Sequence, residues 1–373
     1  MNTNRDFMLL NFGGRVCDTF KSATTGNLLT LKTTLLYIFF IFSAEAAMAQ
    51  SNGELASISK RISGHEYPHI LGAKLSIGES PETLLIALKD SHNANKPVDI
   101  RSATKSITAL LFGVSEAFDT ESLLRTPVSL FLPQYFSSSS IAVDVQKTSI
   151  TVHDLLTMRS GLACNDWVSA SVGHEDKMYQ SHDWIGFWSS KPVAFEPGEH
   201  FNYCTGNVIA LGEIITSQTE MPVPVFADKY LFSKMGIEDI HWETTPKGRT
   251  DTGGHLKMRL SDLHKIGLLV LNKGRWHGKQ IVSEKWIAKI TAVQTPVPER
   301  REQYGMLWWS MYVPNGTDTV HMIYAHGNGG NFIIIIPEIA LVATFIGNAF
   351  NSIEQFAPLK LLVNEILPQL SKR

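Results

Sequence analysis

The sequence predicts an α+β protein in which a sheet-bearing lobe is assembled from both ends of the chain and a mainly helical lobe is inserted between them. Three observations predict it. Apolar, β-like stretches occur near residue 70 and again over the last hundred residues. The segments between them carry helix-period apolar spacing and capping residues. The roughly 320 residues left after an N-terminal leader exceed what one compact core usually serves. The expected boundaries are a leader over 1–49, an α/β lobe from 50–125 and 240–373, and a helical lobe over 126–239.

In the leader, Lys32 precedes the apolar run Leu35 to Phe42, and Ala47-Met48-Ala49 before Gln50 fits the small-x-small pattern of a signal cleavage site. The run is too short to span a bilayer comfortably. Export to a periplasmic or extracellular location is therefore expected, with cleavage near Ala49 and membrane association only if the leader stays attached.

Ile70 to Ile77, the turn-forming Gly78-Glu79-Ser80-Pro81 and the stretch to Leu88 predict a short hairpin. A polar segment over 91–97 then gives way to the apolar run Ile107 to Val114, so Ser102 opens a buried helix. Pro127 and Pro133 mark a linker, and Ser137 to Ser140 an exposed loop tip. Thr151 is positioned as the N-cap of the next helix, with Asp154 at its third position. Residues 165–200 are aromatic and loop-rich; helices are expected after Asn207, from Ser261 to Asn272, and as an amphipathic closing segment from Ile353 to Leu370. Between the last two, Tyr304 to Trp309, Asn331 to Ile336 and Ala340 to Ile346 read as strands.

Ser102-Ala103-Thr104-Lys105 carries the chemistry. Residues three apart share a helix face, so the Ser102 hydroxyl and the Lys105 amine can meet, which activates a serine as nucleophile. At a helix start, free N–H groups and the helix dipole also favour developing negative charge. The plainer alternative is a capping serine beside a solvated lysine. A Ser-x-x-Lys arises by chance about once in a chain of this length. Ser57-Ile58-Ser59-Lys60 is a second copy, with no evident helix behind it.

Removal of the leader takes four basic and three acidic residues from a chain of formal charge −2, leaving it weakly acidic. Such a surface, without Lys/Arg clusters, argues against nucleic acid as partner. Of three cysteines, Cys17 leaves with the leader; Cys164 and Cys204 remain, to form one disulfide in an oxidising compartment or to stand as buried thiols.

Three pieces in order form a wider pattern: Ser102-x-x-Lys105, Tyr203-Cys204-Thr205 after Pro197-Gly198, and Ala325-His326-Gly327-Asn328-Gly329-Gly330-Asn331 entering an apolar strand. Together with Ser160-Gly161-Leu162 and Tyr304 to Trp309, they resemble the serine β-lactamase and penicillin-binding-protein superfamily. The likeness is nearest to its class C-like esterase and 6-aminohexanoate-dimer-hydrolase branch. It runs from about residue 65 to the C-terminus. The resemblance implies a β-lactamase/transpeptidase-like fold, with an antiparallel sheet flanked by helices. It further implies an acyl-enzyme on Ser102, with Lys105 and Tyr203 as base system, and an oxyanion hole from the backbone N–H groups of Ser102 and Asn328. A Tyr has a pKa of about 10, so Tyr203 acts as a base near neutrality only beside a cation such as Lys105. Gly327 and its neighbouring glycines fit a backbone approaching substrate, or equally a turn. Thr205, His326, Gly327 and Trp167 are the expected substrate contacts. In this fold Cys164 and Cys204 both border the cleft, so a disulfide between them would pin a loop to the tyrosine.

Two departures shift the expected substrate. Ala325-His326-Gly327 stands where lactamases have Lys-Thr-Gly, so the cation that grips a substrate carboxylate is missing; Thr205 stands where many relatives have Asn. A small ester or amide is favoured over a lactam, with no metal or organic cofactor and no defined oligomeric state. The alternatives are a β-lactamase or D-alanyl carboxypeptidase, or a non-hydrolytic penicillin-binding-like sensor. His65-Glu66-Tyr67-Pro68-His69 mimics a zinc motif, but Pro68 opposes the helix that would align the two rings. His255 and the His153-Asp154 pair suggest a triad, the latter already explained by capping. Trp167, Trp184 and Trp188 wall either a cleft or a core.

Overall fold

A computed structural model of the chain describes residues 51–78, 82–89, 92–114, 119–136 and 145–371. The leader with its cleavage site and the loop at Ser137 to Ser140 lie outside the described residues. Strands β1 (Ile70–Ile77) and β2 (Glu82–Leu88) form the expected antiparallel hairpin. From the C-terminal half come β3 (Thr295–Pro296), β4 (Gln303–Tyr304), β5 (Trp309–Asn315), β6 (Asp318–Gly327), β7 (Asn331–Ile336) and β8 (Leu341–Gly347). They join in one eight-stranded sheet of order β2-β1-β8-β7-β6-β5-β4-β3. Every pairing in it is antiparallel. β1 pairs with β8, so the first and last strands, from opposite ends of the chain, meet inside the sheet, whose edges are β2 and β3.

β7 and β8 are buried at every residue. A strand covered on both faces needs no polar alternation, which is why Phe332 to Ile336 reads as a continuous apolar run. Helix α1 (Ala103–Leu111), which begins at Ser102, packs on β6 and β7 and against helix α2 (Thr205–Thr219); helix α3 (Leu260–Leu271) packs on β1, β7 and β8. All nine residues of α1 are buried, as is α2 from Thr205 to Ile215. Both are therefore core helices, although each buries polar side chains, Lys105 and Thr108 in α1 and Asn207 and Glu213 in α2. The short helix Val152–Leu156 starts as its sequence requires. Thr151 accepts from Asp154 N, and the Asp154 carboxylate accepts from Thr151 N at 2.9 Å.

Three expectations change. Tyr304 to Trp309 is not one strand: β4 ends at Tyr304 and β5 begins at Trp309, with residues 305–308 forming the turn between them. Residues 51–63 are helical, with Leu55, Ile58 and Ile62 on the buried face, so the second Ser-x-x-Lys also stands on a helix; Ser57 and Lys60 are exposed. The closing segment is not one regular helix. It runs as a 3₁₀ turn (Ile353–Phe356), a short α-helix (Ala357–Leu361), a π turn (Leu362–Ile366) and a last α turn (Leu367–Leu370). Pro368 lacks an N–H and its ring crowds the carbonyl four residues back, which widens the preceding turn. Among the described residues no helix is long and apolar enough to cross a membrane.

Candidate active site

Ser102 is set at a sharp corner. Asp99 Oδ1 accepts from Arg101 N at 2.8 Å, and Arg101 adopts φ +53°, so the chain turns abruptly into α1. Ser102 is the N-cap, yet its hydroxyl makes no capping bond. Instead it accepts from Lys105 Nζ at 3.1 Å, one turn along the helix. The Lys105 ammonium is almost completely buried and donates a second bond to the Gly253 carbonyl at 2.5 Å. Burial opposes its charge, but Tyr203, Glu175, Asp166 and Asp251 outweigh burial and hold its pKa above the ordinary lysine value.

Tyr203 arrives from the residue pair that precedes α2. Its carbonyl accepts from Asp166 N at 2.8 Å, and its neighbour Cys204 is disulfide-bonded to Cys164 with Cα atoms 5.5 Å apart. The ring lies parallel to Trp167, with centroids 5.5 Å apart and planes 7° apart, and stacks on Trp309 at 5.6 Å. Lys105 Nζ is 5.2 Å from the Tyr203 ring centroid. Burial raises the phenol pKa, while Lys105 and a hydrogen bond with Ser102 pull it down without cancelling the rise. Lys105 and Tyr203 thus both hold their protons at rest.

Ser102, Tyr203, Trp167, His326 and Asn328 line one cleft of about 340 Å³, with Asp166, Glu175, Arg300, Glu302 and Trp309. Asn328 is the first residue of the turn after β6, rather than a strand-edge residue, and its side chain exchanges two hydrogen bonds with Asn351. Gly327 ends β6 against the backbone of Ile100, so its lack of a side chain serves a close approach to the Ser102 corner; Gly329 and Gly330, at φ +101° and +94°, form the turn. Burial pushes His326 down to about 3, with Arg300 adding to the effect, so this imidazole is neutral and supplies no cation. Arg300 lies over the Trp167 ring and is paired with Glu302 at 3.0 Å.

Thr205 does not reach the cleft. It is fully buried, its N–H donating to Asp166 Oδ2 and its hydroxyl to Glu175 Oε2, both at 2.6 Å. These two carboxylates, which do line the cleft, were not legible in the loop-rich stretch after residue 165. Burial raises Asp166 to about 6, reinforced by Glu175. Arg300 and Asp251 likewise carry no local signal in the sequence. Of the remaining candidates, Trp188 is a core residue whose indole donates to Asn207. His255 pairs with Asp99 at 2.9 Å.

Compared with known proteins, residues 66–367 match the family model described as Beta-lactamase. No curated protein matches the sequence. Among solved structures, the chain is similar to a Bacillus anthracis protein assigned as a 6-aminohexanoate-dimer hydrolase. The TM-score is 0.67 at 17% identity, over 82% of this chain and 80% of that one. EstCE1, a hydrolase with promiscuous acyltransferase activity, gives a TM-score of 0.67 at 14% identity, over 85% and 99% of the two chains. A penicillin binding protein from Bacillus halodurans gives 0.60 at 16% identity, over 80% and 98%.

Proposed function

The chain belongs to the beta-lactamase family of serine hydrolases, and from that premise we propose that it is an exported enzyme cleaving a small neutral ester or amide through an acyl-Ser102 intermediate. The observation that carries this reading is the Lys105 Nζ to Ser102 Oγ contact of 3.1 Å, in a cleft that also holds the Tyr203 ring. A hydroxyl has little nucleophilicity of its own and needs a base within reach.

In the proposed sequence Tyr203 first gives up its phenol proton to solvent, and the Lys105 ammonium offsets the charge of the phenolate; Ser102 Oγ then bonds to the substrate carbonyl carbon as its proton passes to the phenolate oxygen. The N–H groups of Ser102 and Asn328 receive the oxyanion, an interaction worth about 10²–10³ in rate per donor. Collapse breaks the bond to the alcohol or amine, which takes the proton from Tyr203. Water then attacks the acyl-enzyme with the Tyr203 phenolate again accepting the proton; the bond from the acyl carbon to Ser102 Oγ breaks, Oγ takes that proton, and the serine is restored.

Charge supports a neutral substrate over a penicillin-like one. His326 is uncharged, Arg300 is paired with Glu302, and Asp166 and Glu175 face the same space. A substrate carboxylate entering there meets two carboxylates and no unpaired cation among the described lining residues. Short-chain aryl esters, nitrocefin and D-amino-acid amides assayed in parallel on wild type and Ser102→Ala test the proposal. Ester or amide turnover abolished in Ser102→Ala is expected. Equal turnover by both proteins refutes the serine chemistry, and rapid nitrocefin hydrolysis favours a β-lactamase instead.

A further inference from the structure

Asp251 is a buried carboxylate that takes no step of its own in the chemistry above and is the weakest of the four neighbours named as raising the Lys105 pKa. It has no exposed surface, lies in the segment leading into α3, and is not among the residues that line the cleft. Its Oδ1 accepts from Gly253 N at 3.0 Å and from Gly254 N at 2.9 Å, closing a tight turn over 251–254. The carbonyl at the centre of that turn, Gly253 O, is the one that receives Lys105 Nζ. The residue between them is clamped separately: Thr252 Oγ1 donates to Val208 O in α2, and Thr108 Oγ1 of α1 donates to Thr252 O. A Cβ on Gly253 would stand 2.6 Å from Thr205 Cγ2, so the turn has no room to settle elsewhere on that side.

We infer that Asp251 is a positioning residue for Lys105: by holding the 251–254 turn it aims the Gly253 carbonyl at Nζ and so fixes the amine against the Ser102 hydroxyl. Lys105 has a flexible four-carbon stem, and one bond to Ser102 alone does not fix it. The second bond, to Gly253 O, does. Without the Asp251 acceptor, two buried N–H groups lose their partner and the peptide planes of the turn are free to rotate toward others. This inference rests on the proposed role of Lys105.

The test compares Asp251→Ala, Asp251→Asn and Lys105→Ala with wild type, using hydrolysis of a short-chain aryl ester and thermal unfolding. Asparagine keeps a carbonyl oxygen where Oδ1 stands and is expected to hold kcat within about threefold of wild type, whereas alanine lowers kcat by about a hundredfold with KM little changed. Two folded variants that both keep kcat overturn the inference, and so does an asparagine variant as impaired as alanine. If Asp251→Ala does not fold, Asp251→Leu, of similar shape but with no acceptor, decides in its place: loss of kcat at constant KM supports the inference, and retention overturns it. The parallel Lys105→Ala separates the two readings. Wild-type rates in Lys105→Ala sink the proposed chemistry itself, while an inactive Lys105→Ala beside a fully active Asp251→Ala sinks only the role of Asp251.

Discussion

Gly327 and Ile100 lie in such close contact that a Cβ on Gly327 would stand 1.9 Å from the Ile100 carbonyl oxygen and 3.2 Å from Ala103 N. The end of β6 is thereby seated directly on the backbone that turns into Ser102. Neither neighbour is a side chain that could swing aside, so Gly327→Ala must push strand and corner apart. Overpacking of this kind costs about 1–3 kcal/mol, read as a fall of several degrees in Tm. A drop in kcat/KM of about tenfold to a hundredfold is expected with it. An alanine variant with wild-type Tm and rate would show that the two segments can separate freely.

The Cys164–Cys204 disulfide closes a segment with a sequence separation of 40 and stands next to Tyr203. Loop-closure entropy for that length corresponds to about 4 kcal/mol of stabilisation. Reductant is expected to lower Tm and to reduce kcat, because the bond ties the cleft loop bearing Asp166 and Trp167 to the tyrosine. Alkylation of denatured, unreduced protein should leave both cysteines unmodified. Their free reaction with the alkylating reagent would contradict the bond.

Activity should rise with pH well into the alkaline range. The Tyr203 phenol is raised above 10.0 by burial, and Lys105 is held above 10.5 by its anionic surroundings despite burial. Whichever group must give up a proton before Ser102 attacks, the competent fraction grows about tenfold per pH unit below its pKa. A profile of log kcat/KM with slope near one up to pH 9 is expected; a plateau from pH 7 would mean that neither group is the titrating base.

Stability should fall on acidification. His264 is buried in the core between Ser76 Oγ at 2.8 Å and Thr344 Oγ1 at 3.0 Å, and burial pushes it down to about 3. The unfolded chain binds its proton near the ordinary value of 6.5 and the native protein does not, so stability is intact above that value and is lost as pH drops from about 6.5 toward 3. His264→Gln, which cannot protonate, should show a shallower decline in Tm over that window; an identical decline would place the acid sensitivity elsewhere.

Freeing Arg300 should change substrate preference. Its partner Glu302 neutralises it at the cleft. In Glu302→Gln the guanidinium becomes available to a substrate carboxylate, and nitrocefin hydrolysis relative to a neutral aryl ester is expected to rise by about tenfold, the scale of a charge-assisted hydrogen bond at a partly exposed site. An unchanged ratio would remove Arg300 from the specificity argument.

Contiguous features carried most of the information legible in the chain. The hairpin at Ile70–Leu88, the capping box at Thr151 and Asp154, the buried strand at Asn331–Ile336 and the serine-to-lysine spacing all depend on neighbours within a few residues. Local sterics, capping and periodicity set such features, and the order of the motifs disclosed the family. Pro368 broke the expected closing helix for an equally local reason, one that apolar spacing alone passes over.

Two Ser-x-x-Lys sequences show where that legibility stops. Both stand on helices, but Ser57 and Lys60 face solvent while Lys105 is buried beside the Tyr203 ring, nearly a hundred residues further along the chain. The same holds for Asp166, Glu175 and Thr205, and for the Gly253 carbonyl that receives the lysine. Spacing along the chain decided that a hydroxyl and an amine could meet. Only the packing of α1 between the sheet and α2 decided which pair is shielded from water and ringed by charge, because desolvation and Coulombic interaction act between residues brought close in space.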